Sequence, residues 1–130
     1  MLIASLALAA AQPAVEPAPE QSADNEITVV ANRLRAWRGT WRVNKGAVSC
    51  KTKRSTGDKA IDAIACDAMV ACIGPLAPRF AAIEASKPGK AEMEQQLGSL
   101  LETEKVGDCL SARHKAGVAA LVAARKGKPA

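Results

Sequence analysis

The chain has 130 residues, with 18 Lys and Arg against 13 Asp and Glu, for a formal net charge of +5. This length accommodates one domain and leaves little room for a second. Hydrophobic residues make up 48% of the chain, which excludes intrinsic disorder, but two Trp, one Phe and no Tyr leave the core to small aliphatic side chains. No apolar run reaches the roughly 20 residues of a membrane-spanning helix. The composition favours a small domain of closely packed helices.

The first eleven residues, MLIASLALAAA, form an apolar leader that ends in small residues. This pattern is typical of a secretory signal peptide, although no Lys or Arg precedes the apolar run. Residues 12–25 contain three prolines and three acids and predict a flexible, extended linker. We therefore expect an exported protein, periplasmic or secreted, with a single folded domain at residues 26–124 and a basic tail at residues 125–130.

About three β-strands are predicted at the start of this domain. Residues 26–31, EITVVA, form a β-branched run typical of a strand. Residues 38–43 and 47–53 flank Asn44-Lys45-Gly46, whose Asn and Gly suit a tight hairpin turn. The apolar residues within 33–41 fit either a helix or a strand, and the glycine among them favours a strand.

A change of pattern follows the predicted strands. Asp58 is a candidate helix N-cap, and apolar residues then recur at helical spacing from Ile61 to Cys72. Gly74-Pro75 is expected to end this helix.

Three more helices are predicted in the rest of the chain. Residues 78–85 and 91–104 have helical apolar spacing, with Gly107 closing the second of these helices and Asp108 capping the next. The inward positions expected in the last helix are Leu110, Gly117, Val118 and Leu121. The predicted fold class is thus α+β, a small antiparallel β element followed by about four helices.

Four cysteines, Cys50, Cys66, Cys72 and Cys109, predict two disulfides in an exported chain of this size. No C-x-x-C motif occurs, so the spacing favours neither a redox motif nor a zinc site, and we predict no metal or cofactor. On one helix, Cys66 and Cys72 would lie about 240° apart around the axis and roughly 9 Å along it, which prevents their pairing. Two connectivities remain, Cys50–Cys66 with Cys72–Cys109, or Cys50–Cys72 with Cys66–Cys109. We prefer the first, because it joins a strand to the next helix and Cys72 to the distant last helix.

The positive charge is concentrated in one segment. Residues 27–59 hold nine Lys and Arg against one acid, a net charge of +8, with two tryptophans among the arginines. Such a segment fits an anionic partner, with the cations supplying charge and the indoles anchoring. In the alternative, the indoles pack on the helices and the charges form a solvated face. The candidate binding residues are Arg33, Arg35, Trp37, Arg38, Trp41 and Arg42.

The partner predicted for this segment is an anionic component of the cell envelope, namely lipopolysaccharide, anionic phospholipid or a cell-wall polymer. Nucleic acid would bind the same charges, but export argues against it. No signature of a catalytic site occurs, and the lone His114 is expected on the apolar side of the last helix, at the edge of the core. A disulfide-stabilised enzyme would require a pocket in which His114 meets acids.

Residues 24–33, DNEITVVANR, resemble the TonB box of TonB-dependent outer-membrane receptors. In those receptors the extended box pairs with the energy-transducing protein by strand addition. The resemblance implies a TonB-linked or receptor-associated adaptor, although the chain is too short for a plug and barrel.

The longer arrangement WRGTWRVNKGAVSCKTKRSTGD followed by AIDAIACDAMVAC resembles small uncharacterised exported proteins of sphingomonad-type bacteria. This resemblance implies export into a Gram-negative envelope. It transfers no activity and no functional residues to this chain.

Overall fold

The computed structural model describes residues 19–126, with side chains from Asp24 onward. A helix precedes a β-hairpin, and four helices follow the hairpin, so the predicted α+β class is confirmed with two strands instead of three. A 3-10 turn at Gly74–Leu76 separates the second and third helices. The elements are α1 (Pro19–Arg35), β1 (Arg38–Asn44), β2 (Ala47–Arg54), α2 (Lys59–Ile73), α3 (Ala77–Ala85), α4 (Lys90–Thr103) and α5 (Val106–Lys126).

Helix α1 replaces the strand predicted at residues 26–31, and that prediction is wrong. Val30 and Leu34 are buried on one side of α1, and the half-buried Ile27 packs beside them. This i, i+3, i+7 spacing places the three side chains on one helical face, against buried residues of α2 and α5. Tertiary packing thus overrides the β-propensity of the Ile-Thr-Val-Val run. The helix begins within the expected linker and continues through Arg35, so residues 33–35 are helical too.

The hairpin forms where the sequence predicts it. Its strands are antiparallel, with Trp41 opposite Cys50 and Asn44 opposite Ala47. Lys45 and Gly46 both have positive φ, 52° and 77°, which is the conformation of a type I′ turn. This turn matches the twist of the strands and fixes which side chains face the helices.

Helix α2 is the central element, and the preferred disulfide pairing is confirmed. Cys66 bonds to Cys50 of β2, and Cys72 bonds to Cys109 of α5, with Cα–Cα distances of 5.5 and 5.8 Å. The Asp58 side chain caps α2, accepting hydrogen bonds from the backbone N–H groups of Ala60 and Ile61. Under a loop-entropy model the two bridges contribute about 3 and about 4 kcal/mol to stability.

Two hydrophobic clusters lie along α2. The first joins α1, α2 and α5, and its buried members are Val30, Leu34, Ile61, Ala65, Val118 and Val122. The second lies under the hairpin, α3 and α4, and its buried members are Cys72, Ile73, Leu76, Phe80 and Val106. The core is therefore built mainly from aliphatic side chains and the one phenylalanine.

Helix α5 starts one residue before the predicted closing glycine. Lys105 has a left-handed φ of 53°, which interrupts the helical conformation between α4 and α5. Val106 is then buried at the first position of α5, so Gly107 and Asp108 lie inside its first turn instead of closing α4 and capping α5. The helix runs through Lys126 and includes the first two residues of the expected tail, while residues 127–130 and the expected leader lie outside the described residues.

The helical stretch Lys59–Ala85 is, among the residues described, the one that by length and composition could cross a membrane. In the structure this stretch is divided by the 3-10 turn, carries both α2 disulfide cysteines and buries Ile61, Ala65 and Phe80 in the two clusters. A core helix of a small protein passes the same test of length and composition, and this is the position that α2 occupies.

Candidate functional site

The exposed side of the hairpin carries the candidate site. Along both strands, half-buried residues that face the helices alternate with exposed residues that face solvent. Five of the exposed residues, three cations and two hydroxyl-bearing residues, line one cavity. We call this set the basic face, and it consists of Thr40, Arg42, Ser49, Lys51 and Lys53.

The strand register places each hydroxyl of the basic face opposite a cation. Arg42 lies opposite Ser49, and Thr40 lies opposite Lys51. Lys53 lies at an irregularity of the register, between the pairs Gly39–Thr52 and Arg38–Arg54. The five basic-face side chains line a shallow cavity of about 220 Å³. Guanidinium, ammonium and hydroxyl groups on one open surface are donors suited to phosphate or carboxylate oxygens.

No carboxylate lines this cavity, and the cations of the basic face have no ion-pair partner among the described residues. The ion pairs formed between residues 24 and 126 lie elsewhere, between Arg33 and Asp58, Arg79 and Glu104, and Arg125 and Asp58. Like charges on one sheet face repel one another, so an anion bound there relieves a cost that the protein otherwise bears.

Both tryptophans are half-buried and pack against the two hydrophobic clusters. The Trp37 Nε1–H donates a hydrogen bond of 3.0 Å to Thr52 Oγ1, and its ring lies over Gly39. The Trp41 ring lies 4.6 Å from that of Phe80, centroid to centroid, at a tilt of 36°. The two indoles therefore belong largely to the packing, and the charge of the hairpin, without exposed aromatic anchors, carries the binding hypothesis.

The four candidate arginines do not form one site. Arg42 lies on the basic face, whereas Arg33 lies on α1 and approaches Asp58 at 4.0 Å. Arg38 turns back to the end of α1, where its Nη1 donates 2.7 Å hydrogen bonds to the carbonyl oxygens of Arg35 and Trp37. Arg35 and Arg38 thus stand together at the C-terminus of α1, where positive charge is favoured by the helix dipole.

The candidate set from sequence missed Lys51, Lys53, Thr40 and Ser49. A signal for them is present in the sequence, because R-x-T-x-R at residues 38–42 and S-x-K-x-K at residues 49–53 both have the two-residue period of a strand. Combined with the hairpin turn, this period predicts that the two rows share a face.

Two aspartates near the start of α2 have structural roles. The pKa of Asp58 is lowered, chiefly by the hydrogen bond from Arg125, and the pKa of Asp62 is lowered, chiefly by the hydrogen bond from Ser55. Asp62 also accepts hydrogen bonds of 2.8 Å from the backbone N–H and the hydroxyl of Thr56. These carboxylates hold the loop between β2 and α2 and the end of α5, and nothing in their geometry resembles an acid–base pair.

His114 lies half-buried on α5 and lines a separate groove between α1 and α5. Burial lowers its pKa and so favours the neutral ring. No acid lines this groove, so the described residues do not show the convergence of histidine and acids that an enzyme of the expected kind requires. Within the same residues, no group of three His, Cys, Asp or Glu side chains could hold a metal ion.

The segment that resembles a TonB box, residues 24–33, is part of α1. Its Ile27 and Val30 pack in the first cluster, and the Thr28 hydroxyl donates a hydrogen bond of 2.9 Å to the carbonyl oxygen of Asp24, four residues earlier. Pairing by strand addition would require this part of α1 to unwind and leave the core.

Comparisons with protein-family models, curated proteins and solved structures find no match to this chain. The function is therefore inferred from the chemistry of the residues themselves.

Proposed function

We propose that this protein is a non-enzymatic exported domain, directed to the periplasm by residues 1–11, that binds an anionic component of the cell envelope through its basic face. The observation that carries the proposal is the row of Arg42, Lys51 and Lys53 on one exposed sheet face with no acidic partner among the described residues. The two disulfides indicate an oxidising, non-cytoplasmic compartment, which agrees with an envelope partner.

The architecture supports recognition of a headgroup at a surface. The cavity on the basic face is open and holds about 220 Å³, which suits a phosphate or carboxylate group and not a whole lipid molecule. Lipopolysaccharide, anionic phospholipids and anionic cell-wall polymers all present such groups in repeated array. The Cys50–Cys66 bridge fixes β2 to α2, so the backbone that carries Lys51 and Lys53 does not have to be ordered on binding.

The test is binding to vesicles of phosphatidylglycerol and phosphatidylcholine, measured by cosedimentation at increasing salt. Each Lys or Arg near an anionic surface contributes about 1 kcal/mol, so the triple variant Arg42→Gln/Lys51→Gln/Lys53→Gln should bind roughly a hundredfold more weakly. Its binding should also depend less steeply on salt, because fewer counterions are displaced.

A matched control removes the same charge from outside the hairpin, with Lys90→Gln/Lys105→Gln/Arg113→Gln. We expect this variant to retain most of the binding, because these cations lie on α4, on α5 and between them. Equal losses in the two triple variants would show that net charge alone attracts the protein, and would contradict a basic-face site. Competition by lipopolysaccharide or by a phosphate-containing cell-wall polymer then identifies which envelope component binds best.

A further inference from the structure

A groove of about 510 Å³ runs between α1 and α5 beside Trp37, apart from the cavity on the basic face. Its floor is apolar and is formed by Ile27, Ala31, Leu34, Trp37 and Val118. Leu34 and Val118 are only 8% and 3% exposed, so the floor lies deep between the two helices. The volume falls in the range of small-molecule sites, about 300 to 1,000 Å³.

The rim of this groove is polar and positively charged. Arg35, Arg38 and Lys115 stand around it, together with the Ser111 hydroxyl and the His114 ring. No Asp or Glu lines the groove, and none of its three cations has an ion-pair partner among the residues described. The groove therefore combines an apolar floor with an uncompensated cationic rim.

Arg38 is positioned for an anion before any ligand arrives. Its Nη1 is held by the carbonyl oxygens of Arg35 and Trp37, at 2.7 Å each. Its Nε and Nη2 form no hydrogen bond within the described part of the chain, and side by side they match the two oxygens of a carboxylate. The cost of ordering this side chain on binding is thus already met by the fold.

We infer that this groove binds a single-chain anionic amphiphile, a fatty acid, with its carboxylate at Arg38, Arg35 and Lys115. The hydrocarbon chain lies on Ile27 and Val118 and passes the edge of the Trp37 ring. Charge complementarity selects the carboxylate, and a groove of about 510 Å³ suits one hydrocarbon chain. This site is separate from the proposed headgroup site, because the groove and the cavity on the basic face share no lining residue.

The test is calorimetric titration of the unaltered protein with dodecanoate and dodecyltrimethylammonium, each below its critical micelle concentration, and with dodecanol below its solubility limit. A hydrogen-bonded charge pair makes dodecanoate bind roughly tenfold to a hundredfold more tightly than dodecanol, and the cationic probe should not bind. Trp41→Phe leaves Trp37 as the single tryptophan, and its fluorescence should change on addition of dodecanoate. Equal binding of all three probes, or no binding of dodecanoate, would overturn the inference.

Two variants locate the site. Arg35→Gln/Lys115→Gln should weaken dodecanoate about tenfold and leave dodecanol unchanged, because only the rim is altered. Ala31→Leu should weaken both probes, because the larger side chain fills the floor. The control pair Lys90→Gln/Arg113→Gln should bind as the unaltered protein does. Dodecanoate affinity that is unaffected by both groove variants would place the ligand elsewhere and contradict the inference. The basic-face triple variant should keep its dodecanoate affinity, so failure of either proposal is seen independently of the other.

Discussion

The contact between α2 and α5 depends on the lack of a side chain at Gly117, and this can be tested with one methyl group. A Cβ placed at Gly117 would lie 2.7 Å from Ile64 Cγ2 and 3.3 Å from Ile64 Cγ1. Carbon atoms attract best at about 3.5 to 4.0 Å, so Gly117→Ala forces Ile64 or the whole of α5 to move. A β-branched residue in a helix has one strongly preferred χ1 rotamer, which restricts how Ile64 can respond.

Two effects of opposite sign decide the outcome. Replacing a glycine with alanine inside a helix stabilises it by about 1 kcal/mol, whereas overpacking a helix interface costs about 1 to 3 kcal/mol. We therefore expect Gly117→Ala to lower the free energy of unfolding by about 1 kcal/mol. Gly98→Ala in α4 is the matched control, because nothing lies within 4 Å of its added Cβ, and it should raise that free energy by up to about 1 kcal/mol.

The assay is urea unfolding followed by far-UV circular dichroism, with both disulfides intact. Repeating Gly117→Ala in an Ile64→Ala background removes the two Ile64 atoms that lie too close and keeps Cβ at 3.5 Å, an ordinary contact, so the substitution should there become stabilising. The reasoning is refuted if Gly117→Ala stabilises the unaltered protein as much as Gly98→Ala does, because the close approach of α5 to Ile64 would then not exist in solution.

Three further predictions concern the effects of pH and of single substitutions on stability and fluorescence. Because the pKa of Asp58 lies below its ordinary 3.8 in the fold, the unfolded chain binds the proton more readily, and stability should fall as the pH drops below about 4. Asp58→Asn keeps a cap but removes the charge, so thermal melts should show a smaller loss over that pH range, the remainder coming from Asp62. Gly39→Ala places a methyl group against the Trp37 ring and the strand opposite, so we expect altered tryptophan fluorescence and a loss of about 1 to 3 kcal/mol in urea unfolding; an unchanged emission spectrum would argue against this packing. Phe80 is only 2% exposed, so Phe80→Ala should lower the free energy of unfolding by about 3 to 5 kcal/mol in the same assay. A loss below about 1 kcal/mol would contradict its core position.

Features that depend on residues close together in the sequence could be predicted from the sequence alone. The hairpin turn was predicted from Asn44 and Gly46, and Gly46 does take a positive φ there, while Asn44 ends β1 and Lys45 takes the other positive-φ position. The helical separation of Cys66 and Cys72 excluded one disulfide pairing, and the preferred one of the remaining two is present. Capping by Asp58 is likewise a local hydrogen-bond pattern.

Features that depend on packing between distant segments could not be predicted from local sequence patterns. The run at residues 26–31 favours a strand by propensity, but its Ile27 and Val30 reach α2 and α5 only from a helix. The positive charge of the hairpin is evident from sequence, yet Arg33 and Arg42 are separated because one lies on α1 and the other on β1. The groove that His114 lines is formed by the packing of α1 against α5, and no short-range sequence pattern reveals this packing.

The pairing of the cysteines has a consequence for how the chain matures. Each bridge joins two cysteines that are consecutive along the chain, the first to the second and the third to the fourth. A polypeptide that leaves the ribosome or a translocation pore N-terminus first exposes Cys50 and Cys66 before Cys109 emerges. Oxidation in order of appearance therefore produces the native bridges directly, and reshuffling is needed only if Cys72 pairs with Cys50 or Cys66 before the first bridge has closed.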